Sequence, residues 1–491
     1  MPCLQNAVVA WIHLLRESMN APGYRRHVGL FSATMLIAGS MIGSGVFIVA
    51  ADMVRTGHSG GFLLTAWGLT AVLTLFAALS YGELAGMFPQ AGGQYTYLRE
   101  TYGAATGFLY GWTFFVVIEC GTIAAVAVGF GKYLGTFFPS VTDTAWIGPH
   151  LDVPLLRVTQ AISVGPYHLG LTPSRLSGIA VVVLLTVVNL YGVKLGARIQ
   201  NLFTVAKIGG LAALILLGLL LKPPVAAIQT PFIPLDGSPA LPFLTALLVV
   251  QTGSMFSADA WNAITFIAGE VKQPERTIPF SLLIGTTLVC GLYVLANAAY
   301  LKVLGPTGIA NAPQDRVGSA ALQALLGSGG GLIMAGSILI SMFGCLNGLV
   351  LSGARVYQRM AEDGLFYPSA ASLNHHGVPA FGLWIQALWT CLLTLTGTYG
   401  QLLDFVMLPT ILFYVFTVGG VFLLRWRRPE LERPVRVWGY PLVPALYLIG
   451  ASAIVVALFI HRPSYSWPGL ILVALGCPVY LAVKPRTIRS A

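Results

Sequence analysis

Leu36-Ile37-Ala38-Gly39-Ser40-Met41-Ile42-Gly43-Ser44-Gly45-Val46-Phe47-Ile48 sets three glycines and two serines in the middle of an apolar run. Glycine weakens a helix by about 1 kcal/mol relative to alanine. In the middle of a membrane span such a cluster lets the helix unwind, and the freed amides are tolerated only beside a watery cavity or a bound ligand. Ser44 and Gly45 would then open a half-helix whose positive amino-terminal end suits a carboxylate. The competing reading is a packing face of small residues four apart, which Gly39 and Gly43 also fit. On this segment alone the two readings stand level.

The rest of the chain makes a membrane setting the natural one. Of 491 residues, 56% are hydrophobic and 9% charged, where an ordinary soluble chain carries about a quarter charged residues. Apolar runs of about 20 residues, enough to cross a ~30 Å core, recur near 30–55, 62–88, 105–137, 176–193, 198–221, 241–268, 279–303, 321–352, 379–397, 401–425, 440–461 and 466–484. The fold class this predicts is an all-α membrane protein with twelve transmembrane helices, embedded in a lipid bilayer.

The net charge of +10 does not call for nucleic acid, because the basic residues sit in short loops rather than along one face. An even number of spans puts both termini on one side. That side would hold 18 of the 27 Lys and Arg residues, including Arg355, Arg359, Arg425, Arg427, Arg428, Arg433 and Arg436, against eight on the other. The positive-inside rule then makes residues 1–29 and 485–491 cytoplasmic. Ala7 to Leu15 is apolar but is followed by Arg16, Arg25 and Arg26 rather than a cleavage site, so no signal peptide is read, and Met19 is an alternative start. The longest outer loop, Pro139 to Arg175, carries Trp146 and four further prolines and is expected to be irregular with a short surface helix.

A second interruption, Gln251-Thr252-Gly253-Ser254-Met255-Phe256-Ser257-Ala258-Asp259-Ala260-Trp261-Asn262, follows five spans after the first. Paired breaks at corresponding positions of two halves are the best sequence pointer to a transporter's binding site. Spans 1–5 (30–221) and 6–10 (241–425) would form repeats, inverted because each holds an odd number of spans, with two more spans over 440–484.

These segments, together with Ala78-Leu79-Ser80-Tyr81-Gly82-Glu83-Leu84, Gly92-Gly93-Gln94-Tyr95-Thr96-Tyr97-Leu98-Arg99-Glu100 and Ala268-Gly269-Glu270-Val271-Lys272-Gln273-Pro274-Glu275-Arg276-Thr277-Ile278-Pro279, resemble the amino acid-polyamine-organocation superfamily. Within it the chain looks like a bacterial relative of the light-chain-type L-amino-acid transporters, over about 30 to 484. The resemblance implies a LeuT-like fold of 5+5 inverted repeats plus two helices, in a bacterial inner membrane. It also implies a substrate carboxylate on the amides after Gly43, including Ser44 and Gly45, and an ammonium on the carbonyls of Ile42 and Phe256. Phe256 would be an aromatic gate, and Ser257, Ala258, Asp259, Trp261 and Asn262 would line the side-chain pocket. Many relatives carry an aromatic where Ala258 stands and a glycine at Ala260, so pocket size does not transfer. The animal relatives use a loop cysteine to bind a heavy chain; Pro139 to Arg175 has none, so no disulfide-linked heavy chain is expected.

Lys207 lies about 14 Å deep in span 5, where an unpaired charge costs about 2.5–3.5 kcal/mol. The resemblance implies that it reaches a carbonyl near Gly39 or Ser40, and Ser341, in the place where sodium-coupled relatives hold an ion. Desolvation also opens a titrating role for it. Glu119 in span 3 has three open readings: pairing with Lys207, relaying a proton, or a structural hydrogen bond. Asp259 either receives a cationic side chain or caps a half-helix, and capping is the blander choice. Glu83 and Asp404 fall near span ends, where solvent or a loop arginine satisfies them; Asn347 reads as interhelical glue before site residue; Trp261 is more safely packing.

Rival classes lack their signatures. The six cysteines show neither disulfide nor metal-ligand spacing, the eight histidines lie in loops or at span ends, and no H-E-x-x-H or G-x-x-x-x-G-K-[ST] occurs. No enzyme activity, cofactor or metal is expected. The function read from the sequence is secondary transport of amino acids by alternating access, either sodium-independent exchange or proton symport. A polyamine antiporter is the alternative, and a proton-conducting subunit a more distant one.

Overall fold

The computed structural model describes residues 26–154, 156–157, 163–164, 167–191, 193–221, 243–397 and 399–483. The start-site question, the tail after 484 and the Asp404 side chain lie outside the described residues. Nine helices among those described are long and apolar enough to cross a membrane, and four shorter apolar ones accompany them. The chain is thus an all-α membrane protein, as its hydropathy pattern predicts.

In chain order the helices are α1 (Leu30–Met41), α2 (Gly45–Ile48), α3 (Ala50–Gly57), α4 (Gly60–Met87), α5 (Gln94–Tyr102) and α6 (Ala104–Thr113). A π-helical turn over Phe114–Glu119 joins α6 to α7 (Cys120–Leu134), and α8 (Pro173–Leu190) and α9 (Val193–Leu220) follow. The second half holds α10 (Phe243–Val249), α11 (Gln251–Ser257), α12 (Ala263–Phe266), α13 (Pro274–Ala310), α14 (Val317–Leu326) and α15 (Ser328–Glu362). The last four are α16 (Ala380–Thr394), α17 (Tyr399–Arg427), α18 (Leu442–His461) and α19 (Pro463–Val483). Local chemistry fixes several starts. The Ser59 hydroxyl accepts from the Phe62 amide at the head of α4, and Thr172 accepts from Arg175 with Pro173 in the first turn of α8.

Two sequence expectations need correction. The eighth apolar run was placed at 321–352, but it crosses a sharp turn at Gly327 (φ 75°), so α14 is a separate helix and the long span begins at Ser328. Glycine supplies that turn, and hydropathy does not see it. The segment Gln94–Tyr102, between the second and third apolar runs, is a helix as well. The outer loop carries no surface helix among its described residues; it forms antiparallel pairs instead, Leu151–Val153 with Tyr167–Leu169 and Leu156–Arg157 with Ser163–Val164.

α1 lies innermost, packed against α9, α13 and α15, while α4 runs along α13. The basic end of the bundle is tied by buried ion pairs. Glu83, fully buried on α4, takes a bidentate contact from Arg425 (2.9 and 2.6 Å), a third contact from Arg433 (3.5 Å) and the Val437 amide (2.7 Å). This is the arginine-satisfied acid expected near a span end. Arg355, fully buried on α15, donates to Glu270 (3.1 Å). Removing one member of such a pair strands a charge and costs about 3–5 kcal/mol. Arg355→Ala is therefore expected to lower the unfolding midpoint in detergent by several degrees, with Arg355→Met/Glu270→Gln recovering most of the loss. An unchanged midpoint in the single variant would mean that water already reaches the pair.

Candidate functional site

Both stretches hold a break in a helix. α1 stops at Met41, Ile42 leaves the helical region (φ −74°, ψ 86°), and the Gly43 amide turns back onto the Met41 carbonyl (2.8 Å). α2 restarts at Gly45, so the first-turn amides of Gly45 and Val46 have no acceptor within their own helix. In the second stretch α11 ends at Ser257 and α12 resumes at Ala263. Between them Ala260 sits at φ 63°, a left-handed conformation costing a non-glycine residue about 1–2 kcal/mol.

The breaks meet face to face. A Cβ built on Gly45 would lie 2.1 Å from Ser257 Oγ, so glycine alone permits this approach. The packing reading of the first stretch is also partly right: a Cβ on Gly39 would lie 2.1 Å from Gln200 Nε2 and 2.2 Å from Thr204 Oγ1 on α9. The Tyr293 hydroxyl, on α13, is 2.8 Å from the Met41 carbonyl and 3.0 Å from that of Ser257, linking the two interrupted spans.

Lys207 is buried on α9 and spends all three ammonium donors on backbone. Nζ donates to the carbonyls of Gly39 (2.6 Å), Ile42 (3.0 Å) and Ser341 (3.0 Å). The Ser341 hydroxyl adds a bond to Ile42 O (2.8 Å). Ile42 O thus already accepts two hydrogen bonds, its full capacity, and is not open to a substrate ammonium in this conformation. The suggested pairing of Lys207 with Glu119 is not formed. Lys207 turns to carbonyls, and Glu119 makes no ion pair among the described residues, its Oε1 having no hydrogen-bond partner.

Glu119 ends the π-helical turn, a distortion that recurs at functional sites. Within the turn the Val116 carbonyl accepts from Trp389 Nε1 (2.9 Å). Glu119 shares a cavity of ≈ 20 Å³ with Gln94, Asp259, Asn262 and Tyr414, room for about one water. Asp259 accepts from the Tyr414 hydroxyl, and Asn262 donates to Gln94 Oε1 (3.2 Å). Asn262, the N-cap residue of α12, makes no side-chain capping bond, and the Asp259 carboxylate is engaged by the Tyr414 hydroxyl and by the Ala260 amide within the break itself. Glu119→Gln loses no bond to Oε1. It is expected to leave the unfolding midpoint within a degree or two while uptake falls at least tenfold, and a large drop in midpoint with normal uptake would make the residue structural.

Of the remaining sequence candidates, Phe256 is buried on α11 beside the Gly45–Ser257 contact, Ala258 begins the second break, and the Ser257 hydroxyl returns to the Gly253 carbonyl (2.8 Å). Trp261 packs edge-on against Tyr81 (4.7 Å) and lies 5.4 Å from Tyr414, in an aromatic cluster. Asn347 accepts from Asn189 (3.0 Å) and donates to Gln200 (3.1 Å), tying α8, α9 and α15 together as interhelical glue. Sequence reasoning missed Tyr293, Tyr414, Gln94 and the π-helical turn. The first two look like ordinary core aromatics, and only the fold brings them to the breaks.

The profile of the family described as amino acid permease matches residues 28–483. The serine/threonine exchanger SteT of Bacillus subtilis (strain 168) is 29% identical over 469 residues, which cover 94% of this chain and 98% of the relative. The large neutral amino acids transporter small subunit 2 of Mus musculus is 30% identical over 466 residues, covering 93% and 80%. The Asc-type amino acid transporter 1 of Homo sapiens is 29% identical over 466 residues, covering 93% and 82%.

Proposed function

Because the chain belongs to the amino acid permease family, and is thus a transporter of amino acids rather than an enzyme, we propose that it works as an exchanger cycling by alternating access. One observation carries this reading: the Lys207 ammonium is bonded to carbonyls on both sides of the Gly39–Ile42 turn and to Ser341 on α15. A covalently tethered cation holds the unwound segment where a dissociable ion would otherwise be needed. A carrier built this way needs no sodium, and it returns most readily when reloaded with a second amino acid.

The substrate's carboxylate would bind the amides of Ser44, Gly45 and Val46, charge facing the start of a half-helix. Its ammonium would take carbonyls of the second break, Phe256 foremost, with Ile42 joining only if Lys207 or Ser341 lets go. Ser257, Ala258, Asp259, Trp261 and Asn262 would border the side chain. Since Gly45 and Ser257 touch and ≈ 20 Å³ remains beside Asp259, loading requires the two breaks to separate. Helices α1–α4 and α10–α13 would rock against the rest, as inverted repeats over 30–221 and 241–425 would allow. The loop over 139–175 has no cysteine, which supports operation without a disulfide-linked partner. Loop charge supports cytoplasmic termini in the cell membrane.

The test is uptake into liposomes loaded or not with internal amino acid, with and without a pH gradient. Exchange predicts uptake that depends on internal substrate and ignores the gradient. Uptake driven by the gradient into empty liposomes would replace exchange by proton symport.

A further inference from the structure

Glu119 and Asp259 line one small cavity, and neither carboxyl meets a basic side chain among the described residues. Their surroundings differ. Asp259 accepts from the Tyr414 hydroxyl and the Ala260 amide, donors that suit a carboxylate. Glu119 Oε1 faces another acceptor instead. Glu119 Oε1 and Gln386 Oε1 on α16, both buried without a hydrogen-bond partner, lie 2.8 and 2.4 Å from the point where a Cβ on Gly353 would stand. The Gln386 amide nitrogen is turned away, toward the Val350 carbonyl (3.4 Å). Two bare acceptors beside one another need a hydrogen between them, and of the two side chains only a protonated Glu119 carries one there.

The other titratable groups facing Glu119 are Tyr110 on α6, Cys120 on α7, and Cys345 and Tyr357 on α15. Asp259 faces Tyr110, Cys345, Tyr414 and, on α18, Tyr447. All are acids and none is a base. The Tyr447 hydroxyl is buried without a hydrogen-bond partner and shares a second small void with Asp259. The cavity between the two carboxyls reaches the second break, because Ala260, Asn262 and Ala263 also line it. An uncompensated charge is costly in so dry a place, so the charge on the acids has to match the charge on whatever side chain enters.

We propose that the chain exchanges cationic for neutral amino acids without moving net charge, because Glu119 gives up its proton when a cationic side chain lies against Asp259 and regains one when a neutral side chain replaces it. The inference rests on the exchange reading and adds to it a substrate class and a proton. The step balances. When lysine enters, its side-chain ammonium settles beside Asp259, the Glu119 O–H bond breaks, and the proton leaves to the water on the side then open. On the other side lysine departs, Glu119 binds a proton from that water, and the neutral amino acid takes the site. One turn carries lysine one way and the neutral amino acid with one proton the other way. Like-for-like exchange moves no net proton and stays indifferent to a pH gradient.

The experiment uses liposomes holding the full chain and loaded with whichever of L-serine, L-threonine and L-leucine is exchanged fastest, with L-lysine outside and a pH-sensitive dye inside. Lysine entry should make the lumen alkaline, one proton leaving per lysine, and an inside-negative potential should not raise its accumulation. In Glu119→Gln the amide permanently imitates the protonated acid. The lysine entry that remains should leave the lumen pH unchanged, and its accumulation should rise by up to ~50-fold at about 100 mV, the weight of one charge crossing the membrane. Asp259→Asn should lower lysine entry at least tenfold relative to entry of the neutral amino acid. Lysine entry in the unaltered protein that follows the potential and leaves the lumen pH unmoved would overturn the proton's role and leave exchange standing. Neutral exchange without any lysine entry would overturn the substrate class and leave exchange standing as well. No exchange of any of the four would overturn the exchange reading and this inference with it.

Discussion

Lys207→Ala is expected to reduce amino acid uptake at least ~100-fold, about 2.7 kcal/mol of lost function, in protein that still reaches the membrane. The alanine strands the carbonyls of Gly39, Ile42 and Ser341 that Nζ now serves, and each buried acceptor left bare costs about 1–3 kcal/mol. The cost falls where α1 has already given up its helical bonds, so the unwound segment loses its fixed shape before the bundle loses its fold. Lys207→Arg should not rescue. The Lys207 Cε and Nζ already pass within 3.3 Å of where a Cβ on Gly344 would stand, and a planar guanidinium does not fit three carbonyls converging on a point. Uptake within a few-fold of the unaltered protein for Lys207→Ala would remove the lysine from the cycle.

The second large effect belongs to Gly45. Gly45→Ala places a methyl 2.1 Å from Ser257 Oγ, 2.7 Å from its Cβ and 2.9 Å from its Cα. The hydroxyl can rotate away; the backbone beneath it cannot. The two breaks must then move apart, so the closed state seen here is lost and transport should drop by about 100-fold. The midpoint of unfolding should change by much less than for Arg355→Ala, whose damage lies in a buried ion pair. A cysteine introduced at the seam between the two interrupted spans, Gly253→Cys, where a Cβ would lie 3.2 Å from Val49 Cβ, should become more reactive to a membrane-impermeant thiol reagent in the Gly45→Ala background. Equal reactivity in both backgrounds would mean that the seam does not depend on the absent side chain.

How much of this was legible follows from which residues act locally. The breaks could be found because the glycine cluster of the first and the polar residues Ser257, Asp259 and Asn262 of the second interrupt an apolar run locally, whatever surrounds them. Lys207 could be flagged because depth in a span makes a charge expensive without reference to any neighbour. The acid near a span end could be matched to a loop arginine in kind, though only packing chose Arg425 and Arg433 for Glu83. Tyr293 is different: its sequence surroundings are those of any core tyrosine, and its role exists only because α13 carries it to carbonyls from two distant stretches. The π-helical turn at Glu119 has no sequence mark either, and its Val116 carbonyl meets Trp389 only because the fold brings α16 alongside. The misplaced start of the eighth run has a local cause, since Gly327 turns the chain without lowering its hydropathy.

The central claim is that the peptide dipoles of the two broken spans grip an amino acid at both ends. Its most direct test is a cryo-electron microscopy structure of the chain with its transported amino acid bound. The account predicts the carboxylate against the amides of Ser44, Gly45 and Val46 and the ammonium against carbonyls of the stretch from Phe256 to Ala260, with Lys207 still on Gly39. An amino acid lodged only elsewhere, with residues 41–45 and 257–263 wound into continuous helix around an empty centre, would contradict it.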